Sequence, residues 1–252
     1  MTQIQTGLQL YTLRNLMKDD FYGTLQKVAE AGYKAVEFAG YGGNSATDLK
    51  AKMDAFGLKT MGAHVPYQRF DDEFDTVVNE LLTLEAEFAI VPWLAPEARP
   101  TTRENTLGLA QTFNRWGEAC KAAGLRFGYH NHDFELLQVD GEKTVLDVLL
   151  EETDPAIVNL ELDIYWAQYA GGDAVTMIEK YADRLPMIHA KDLQSQDSPR
   201  DAVIGEGIID WPGVIAAARK AGTEWFIVEQ DTPDEPLADV ARGLKTLEKL
   251  LG

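Results

Sequence analysis

Residues 101–132 read TTRENTLGLAQTFNRWGEACKAAGLRFGYHNH. The stretch decides the fold. Apolar residues recur at helical spacing from Leu107 to Cys120, Gly124 stops the helix, and a short apolar run, RFGYH, follows at once as a strand that ends in histidine. The same sentence recurs on both sides. TGLQLY leads to FYGTLQKVAEAG, KAVEF to ATDLKAKMDAFG, KTMGAH to DDEFDTVVNELLTLEA, and EFAIVPW to the helix quoted above. After RFGYH come KTVLDVLLEE, VNLELD with DAVTMIEKYADR, PMIHAK with a long loop and WPGVIAAARKAG, and EWFIVEQ with PLADVARGLKTLEKLLG.

Eight strand and helix alternations in 252 residues predict an α/β fold, a (β/α)8 TIM barrel forming a single domain over residues 1–252. An open doubly wound sheet is the rival, because alternation alone does not close a barrel. Helices ending in AG or FG before AGYKAVE, FGLKTMGAH, AGLRFGYH and AGTEWFIVE mark short helix-to-strand turns.

Apolar residues make up 45% of the chain and aromatics 10%, enough for a large core. The formal charge of -18, with scattered Lys and Arg, opposes a nucleic-acid partner. Apolar runs too short to span a bilayer, and a start, MTQIQTGLQLY, without signal-peptide character, predict a cytoplasmic protein with no membrane association. Cys120 is the single cysteine, which excludes an intrachain disulfide and reads as a core residue. A homo-oligomer is compatible with the sequence, which carries no interface signature.

All four histidines, His64, His130, His132 and His189, fall at or just past predicted strand ends. In a parallel barrel those ends converge on the face that carries active sites. His130 and His132 alternate onto one side of the fifth strand, Glu161 and Asp163 onto one side of the sixth, and His189 and Lys191 onto one side of the seventh. Glu229 ends the eighth. Imidazoles mixed with carboxylates suit a divalent metal ion, Mn, Co, Zn or Fe better than Mg. Glu37, His64 and Trp166 are candidates for substrate binding, and Tyr11 and Trp93 for stacking on a sugar ring. Gly205-Glu206-Gly207 lacks the spacing of a dinucleotide loop and reads as a turn near the site.

GLQLYTLR, GYHNHDFE, LELDIYW, IHAKD, IGEGIIDW and IVEQD together resemble the sugar phosphate isomerase/epimerase family, the xylose-isomerase-like barrels. The resemblance implies a metal held at the ends of strands five to eight. It places Asp163, His189 and Glu229 on three ligand positions and His130 on the fourth, where many epimerases have glutamate. It implies a metal-dependent isomerase or epimerase acting through an enediolate on a ketose, inosose or keto sugar, with Glu229 as base and Glu161, His132 or His64 as second acid/base. Lys191 would bind a hydroxyl, carbonyl or phosphate of the substrate, or pair with Glu161. The alternative is a lyase or dehydratase on the same metal site, for which position 130 is pivotal.

Overall fold

The computed structural model describes residues 3–252. Eight parallel strands close into a barrel: β1 (Gln5–Gln9), β2 (Ala35–Phe38), β3 (Lys59–His64), β4 (Phe88–Val91), β5 (Arg126–His130), β6 (Val158–Asp163), β7 (Met187–Ala190) and β8 (Trp225–Val228). Each strand pairs with its sequence neighbours, and β1 pairs with β8 through Leu8 opposite Val228. The rival open sheet is thereby excluded.

Alternation along each strand sorts the side chains into two cores. Outward residues such as Val36, Phe38, Phe127, Leu160, Leu162 and Ile188 pack in one large apolar layer against the helices. Inward residues Ala35, Met61, Phe88, Ile90, Met187, Trp225 and Ile227 plug the lower half of the barrel. A fully buried Leu or Phe contributes about 1.5–3 kcal/mol. The polar inward residues sit above this plug, and the register fixes their neighbours: His130 lies opposite Glu161, and Asp163 opposite His189.

Most helices start and stop where expected. Thr102 accepts from the Asn105 amide at the start of Arg103–Ala123, and Gly124 closes it in the left-handed region at φ 88°. Some boundaries move. The helix expected from Asp71 is two pieces, Tyr67–Asp72 and Phe74–Thr83, because Pro66 opens an earlier turn that buries Phe70 against Trp116 and Phe127. The first strand stops at Gln9, where the Gln9 side chain caps a 3-10 turn over Leu10–Leu13.

The long loop after β7 is organised by Asp192. Its Oδ2 accepts from Gly205 N, Gly207 N and Trp211 Nε1, and its Oδ1 from Leu193 N and Ile209 N. A Cβ at position 207 would lie 2.2 Å from Asp192 Oδ1 and 2.3 Å from the Leu193 carbonyl, so glycine is required. The Gly205–Gly207 turn therefore wraps a buried carboxylate. Asp192→Asn turns an amide NH2 towards one set of these donors, and should cost about 2–3 kcal/mol. That loss lowers the thermal midpoint by about 5–10 °C; an unchanged midpoint in calorimetry would remove the anchoring role.

Candidate active site

The carboxyl ends of the strands surround a cavity of about 640 Å³, walled by His64, His130, His132, Trp166, Lys191 and Glu229, with Tyr11, Arg14 and Trp93 towards its mouth. Three of the imidazoles line it, and the buried His189 packs against His64 and His130 just beneath. His130 and His189 are 4.4 Å apart between ring centres, and His64 stacks on His189 at 5.4 Å.

His130, Asp163, His189 and Glu229 bring one donor atom each within 4.8 Å of one another. Asp163 is the last residue of β6 and the N-cap of Ile164–Tyr169, its Oδ1 accepting from Tyr165 N and Trp166 N. Its Oδ2 has no hydrogen-bond partner among the described residues, although it is buried and lies 3.8 Å from His130 Nε2. A buried carboxylate oxygen left without a donor is costly unless a cation meets it. Two imidazoles and two carboxylates therefore fit a divalent first-row metal ion.

Beneath this quartet lies a second polar layer. Glu161 Oε2 faces His64 Nε2 at 2.8 Å, His130 Nδ1 at 3.0 Å and His189 Nε2 at 3.1 Å. Glu37 Oε2 faces His189 Nε2 at 2.9 Å and His64 Nε2 at 3.2 Å, and accepts from Gln9 Nε2 at 2.6 Å. Neither Glu37 nor Glu161 lines the cavity; both are fully buried. Glu37, a candidate for substrate binding, is instead held by imidazoles and an amide beneath the cavity.

The electrostatics follow from this crowding. Burial, reinforced by Glu161, raises the Glu37 carboxyl to about 7. Burial also disfavours charge on Glu161, but His189 and His64 outweigh it and hold Glu161 well below the carboxylate range. For His189 burial is overcome by Glu161 and Glu229, and its pKa rises well above normal. His130 is pushed down to about 4 by burial and by His189, and His132 to about 2 by burial and by His130. His132 is thus a neutral imidazole, tilted over Trp166 at 5.2 Å, with an unpartnered buried Nδ1.

Lys191 does not reach Glu161. Its Nζ pairs with Asp231 at 2.5 Å, with Glu229 at 3.5 Å and Asp163 at 3.8 Å, and lies over the Tyr165 and Trp166 rings. Burial opposes its charge, yet Glu229, Asp163 and Asp231 hold it protonated. Sequence reading left Asp231 and Glu135 without roles, although both stand inside quoted motifs. Glu135 is buried, bonded to the Tyr129 hydroxyl and accepting from His132 N at 2.9 Å, which fixes the backbone carrying His132. The available signal was an acidic residue a few positions past a strand end, Glu135 after His130 and Asp231 after Val228. Cys120 lies in the helix layer away from the cavity, its thiol pushed up to about 12 by burial. It should resist thiol reagents at pH 8 until the protein unfolds; rapid labelling of the native protein would contradict that burial.

Imidazole and carboxylate donors above the strand ends of a closed (β/α)8 barrel define a class of barrel with a metal-type polar centre. Residues 25–250 match the profile of the xylose isomerase-like TIM barrel, and the chain belongs to that family. An inosose dehydratase of Geobacillus kaustophilus (strain HTA426) is 26% identical over 245 residues, 82% of this chain and 79% of that protein. A sugar phosphate isomerase/epimerase from Parabacteroides distasonis ATCC 8503 superposes with a TM-score of 0.86 and 25% identity, covering 100% of this chain and 96% of that one. The fold is shared with the IOLI protein, solved with a bound zinc atom, at a TM-score of 0.78 and 13% identity over 98% of each chain. Among the described residues no helix is long and apolar enough to cross a membrane.

Proposed function

We propose that the chain is a metal-dependent lyase that eliminates water or an alkoxide β to the ketone of an inosose or keto sugar. The observation that carries this reading is the position of the carboxylates. Glu229 belongs to the ligand-type quartet and also borders the cavity, whereas Glu161, the carboxylate among the three candidates for a second acid/base, sits in the floor engaged by three imidazoles. One base that borders the cavity suits elimination better than a two-sided proton exchange.

His130, Asp163, His189 and Glu229 would hold a divalent ion, Mn, Co, Zn or Fe rather than Mg, which when bound supplies electrophilic stabilisation of the enediolate. Glu229 takes the proton from the carbon next to the ketone and returns it to the β-oxygen as the C–O bond breaks. Charge balances without a further proton source. Lys191, fixed by Asp231, offers N–H donors to a substrate oxygen. Trp166 presents a ring face to the sugar, and His132, a neutral imidazole, lines the wall together with His64 as a hydrogen-bonding group. Lys191 is engaged by carboxylates and Arg14 by the Tyr11 and Asp231 carbonyls, an arrangement that favours an uncharged substrate over a phosphorylated one.

The similarity to an inosose dehydratase over most of both chains supports this reading. The likeness to a sugar phosphate isomerase/epimerase supports a second, in which Glu229 and His132 exchange protons on opposite faces and epimerise the carbon. Incubation of the metal-loaded protein with inosose or a 3-keto-glycoside in D2O decides between them. Mass spectrometry should show loss of water or of the aglycone. Recovered sugar carrying one deuteron and inverted configuration would replace the lyase by the epimerase, and an unchanged substrate with every divalent metal would sink both.

A further inference from the structure

Main-chain pairing between β5 and β6 ends with His130 opposite Glu161, whereas Asp163 is paired only to β7, through His189. Asp163 therefore stands beyond the last main-chain pair that joins its strand to the one carrying His130. The Asn131 side chain takes over there. Its Oδ1 accepts from Asp163 N at 3.1 Å, and its Nδ2 donates to the His132 carbonyl at 3.2 Å. An amide does both at once from two atoms, and an ionised carboxylate of the same shape cannot. Asn131 is fully buried and does not line the cavity, so neither bond is made for contact with substrate.

The consequence falls on Asp163. Its N is held by Asn131 and its Oδ1 by Tyr165 N and Trp166 N, which leaves Oδ2, buried without a partner among the described residues and 3.8 Å from His130 Nε2. Three hydrogen bonds from two elements thus aim one free oxygen at the imidazole on the neighbouring strand. Metal–ligand distances tolerate only about 0.2 Å, so the separation of these two strand ends bears on affinity. The His132 main chain is held at both ends, its N–H by Glu135 Oε2 at 2.9 Å and its carbonyl by Asn131. Glu135 also bonds the Tyr129 hydroxyl and stays within β5 and its extension; of the two side chains, Asn131 is the one that crosses to β6.

We propose that Asn131 is a positioning residue that sets the separation of His130 and Asp163, and through it the affinity of the cavity-side quartet for a divalent ion. The role rests on the assignment of that quartet as metal ligands in the proposed function. Asn131 touches neither ion nor substrate.

The test titrates the metal-free full chain with zinc sulfate in competition with a chromogenic chelator, and with cobalt chloride read by visible absorption. Asn131→Ala should weaken zinc binding about 10–100-fold, the usual effect of removing a group that orients a metal ligand, and should change the position and intensity of the cobalt bands. Glu135→Gln loosens the end of β5 without touching Asp163, and should leave zinc affinity within about threefold of the parent. Equal losses in the two variants would make the effect a general loosening of the strand end and overturn the role. Asp163→Asn separates this inference from the proposed function. Zinc binding lost with Asp163→Asn but within about threefold of the parent in Asn131→Ala overturns the positioning role and leaves the proposed function standing. Zinc binding untouched by Asp163→Asn overturns the ligand quartet and both readings with it. Where Asn131→Ala fails to fold, a crystal structure of the zinc-loaded parent decides: the ion should be bound by His130 and Asp163 with Asn131 Oδ1 still accepting from Asp163 N, and a loaded site in which that bond is broken overturns the inference.

Discussion

Exchanging Glu229 for glutamine should lower kcat by about 10³-fold, equivalent to about 4 kcal/mol, with a much smaller change in KM. Glu229 stands in the ligand quartet and on the cavity wall, 3.0 Å from His189 Nδ1 and 3.5 Å from Lys191 Nζ. Its charged form is favoured because Lys191 and His189 together outweigh burial. Glutamine keeps the shape and removes the basic oxygen. Solvent deuterium should then no longer enter the substrate carbon, an exchange readable by NMR independently of product formation. A kcat within tenfold of the parent, with deuterium still exchanged, would transfer the base role to another group.

Removing divalent metal with a chelator should lower the thermal midpoint by about 8–15 °C, on the order of 4 kcal/mol at a metal concentration a thousand times Kd. The size of that effect depends on pH, and its sign can be worked out. In the metal-free protein His189 is charged, with a pKa well above normal because Glu161 and Glu229 overcome the burial penalty. A raised pKa contributes stability fully present below the ordinary histidine pKa and lost as pH climbs through the raised value. Metal ligation requires His189 to give up that proton, so acid competes with the ion. The gap between metal-loaded and metal-free midpoints should therefore widen from pH 6 to pH 8, and metal binding should release protons, seen as buffer-dependent heats in calorimetry. A gap that narrows over that range would exclude His189 as a ligand.

The barrel was legible because glycine-terminated helices and short apolar strands have local causes. Gly124 ends its helix in a conformation that few other residues adopt, and Phe127 and Tyr129 alternate with His130 because a strand has a period of two. That His130, Asp163, His189 and Glu229 share one end of the barrel followed from the strand ends, whereas their selection as a ligand set over His132 and Glu161 came from the resemblance to the family. What was not legible depended on depth. Glu37 and Glu161 satisfy the same alternation as ligands at the mouth, but β2 and β6 carry them into the floor, a consequence of barrel stagger rather than of neighbouring residues. The partner of Lys191 was hidden for a related reason. Asp231 is brought to it by the loop after β8, and loop paths lack a periodic signal.

Asp192 and its amide donors make the segment following β7 a fixed buttress. On the far side of the cavity mouth, Trp93 stands 42% exposed with Arg99 lying 5.4 Å over its ring, held by a hydrogen bond from Arg99 Nε to the Leu94 carbonyl rather than by a buried charge. The two sides thus differ in how freely they can be rebuilt. If the proposed sugar chemistry holds, attempts to change substrate size should begin with the exposed side chains of Trp93, Pro96 and Glu97, should spare the buried Leu94, and should leave the 204–211 turn intact.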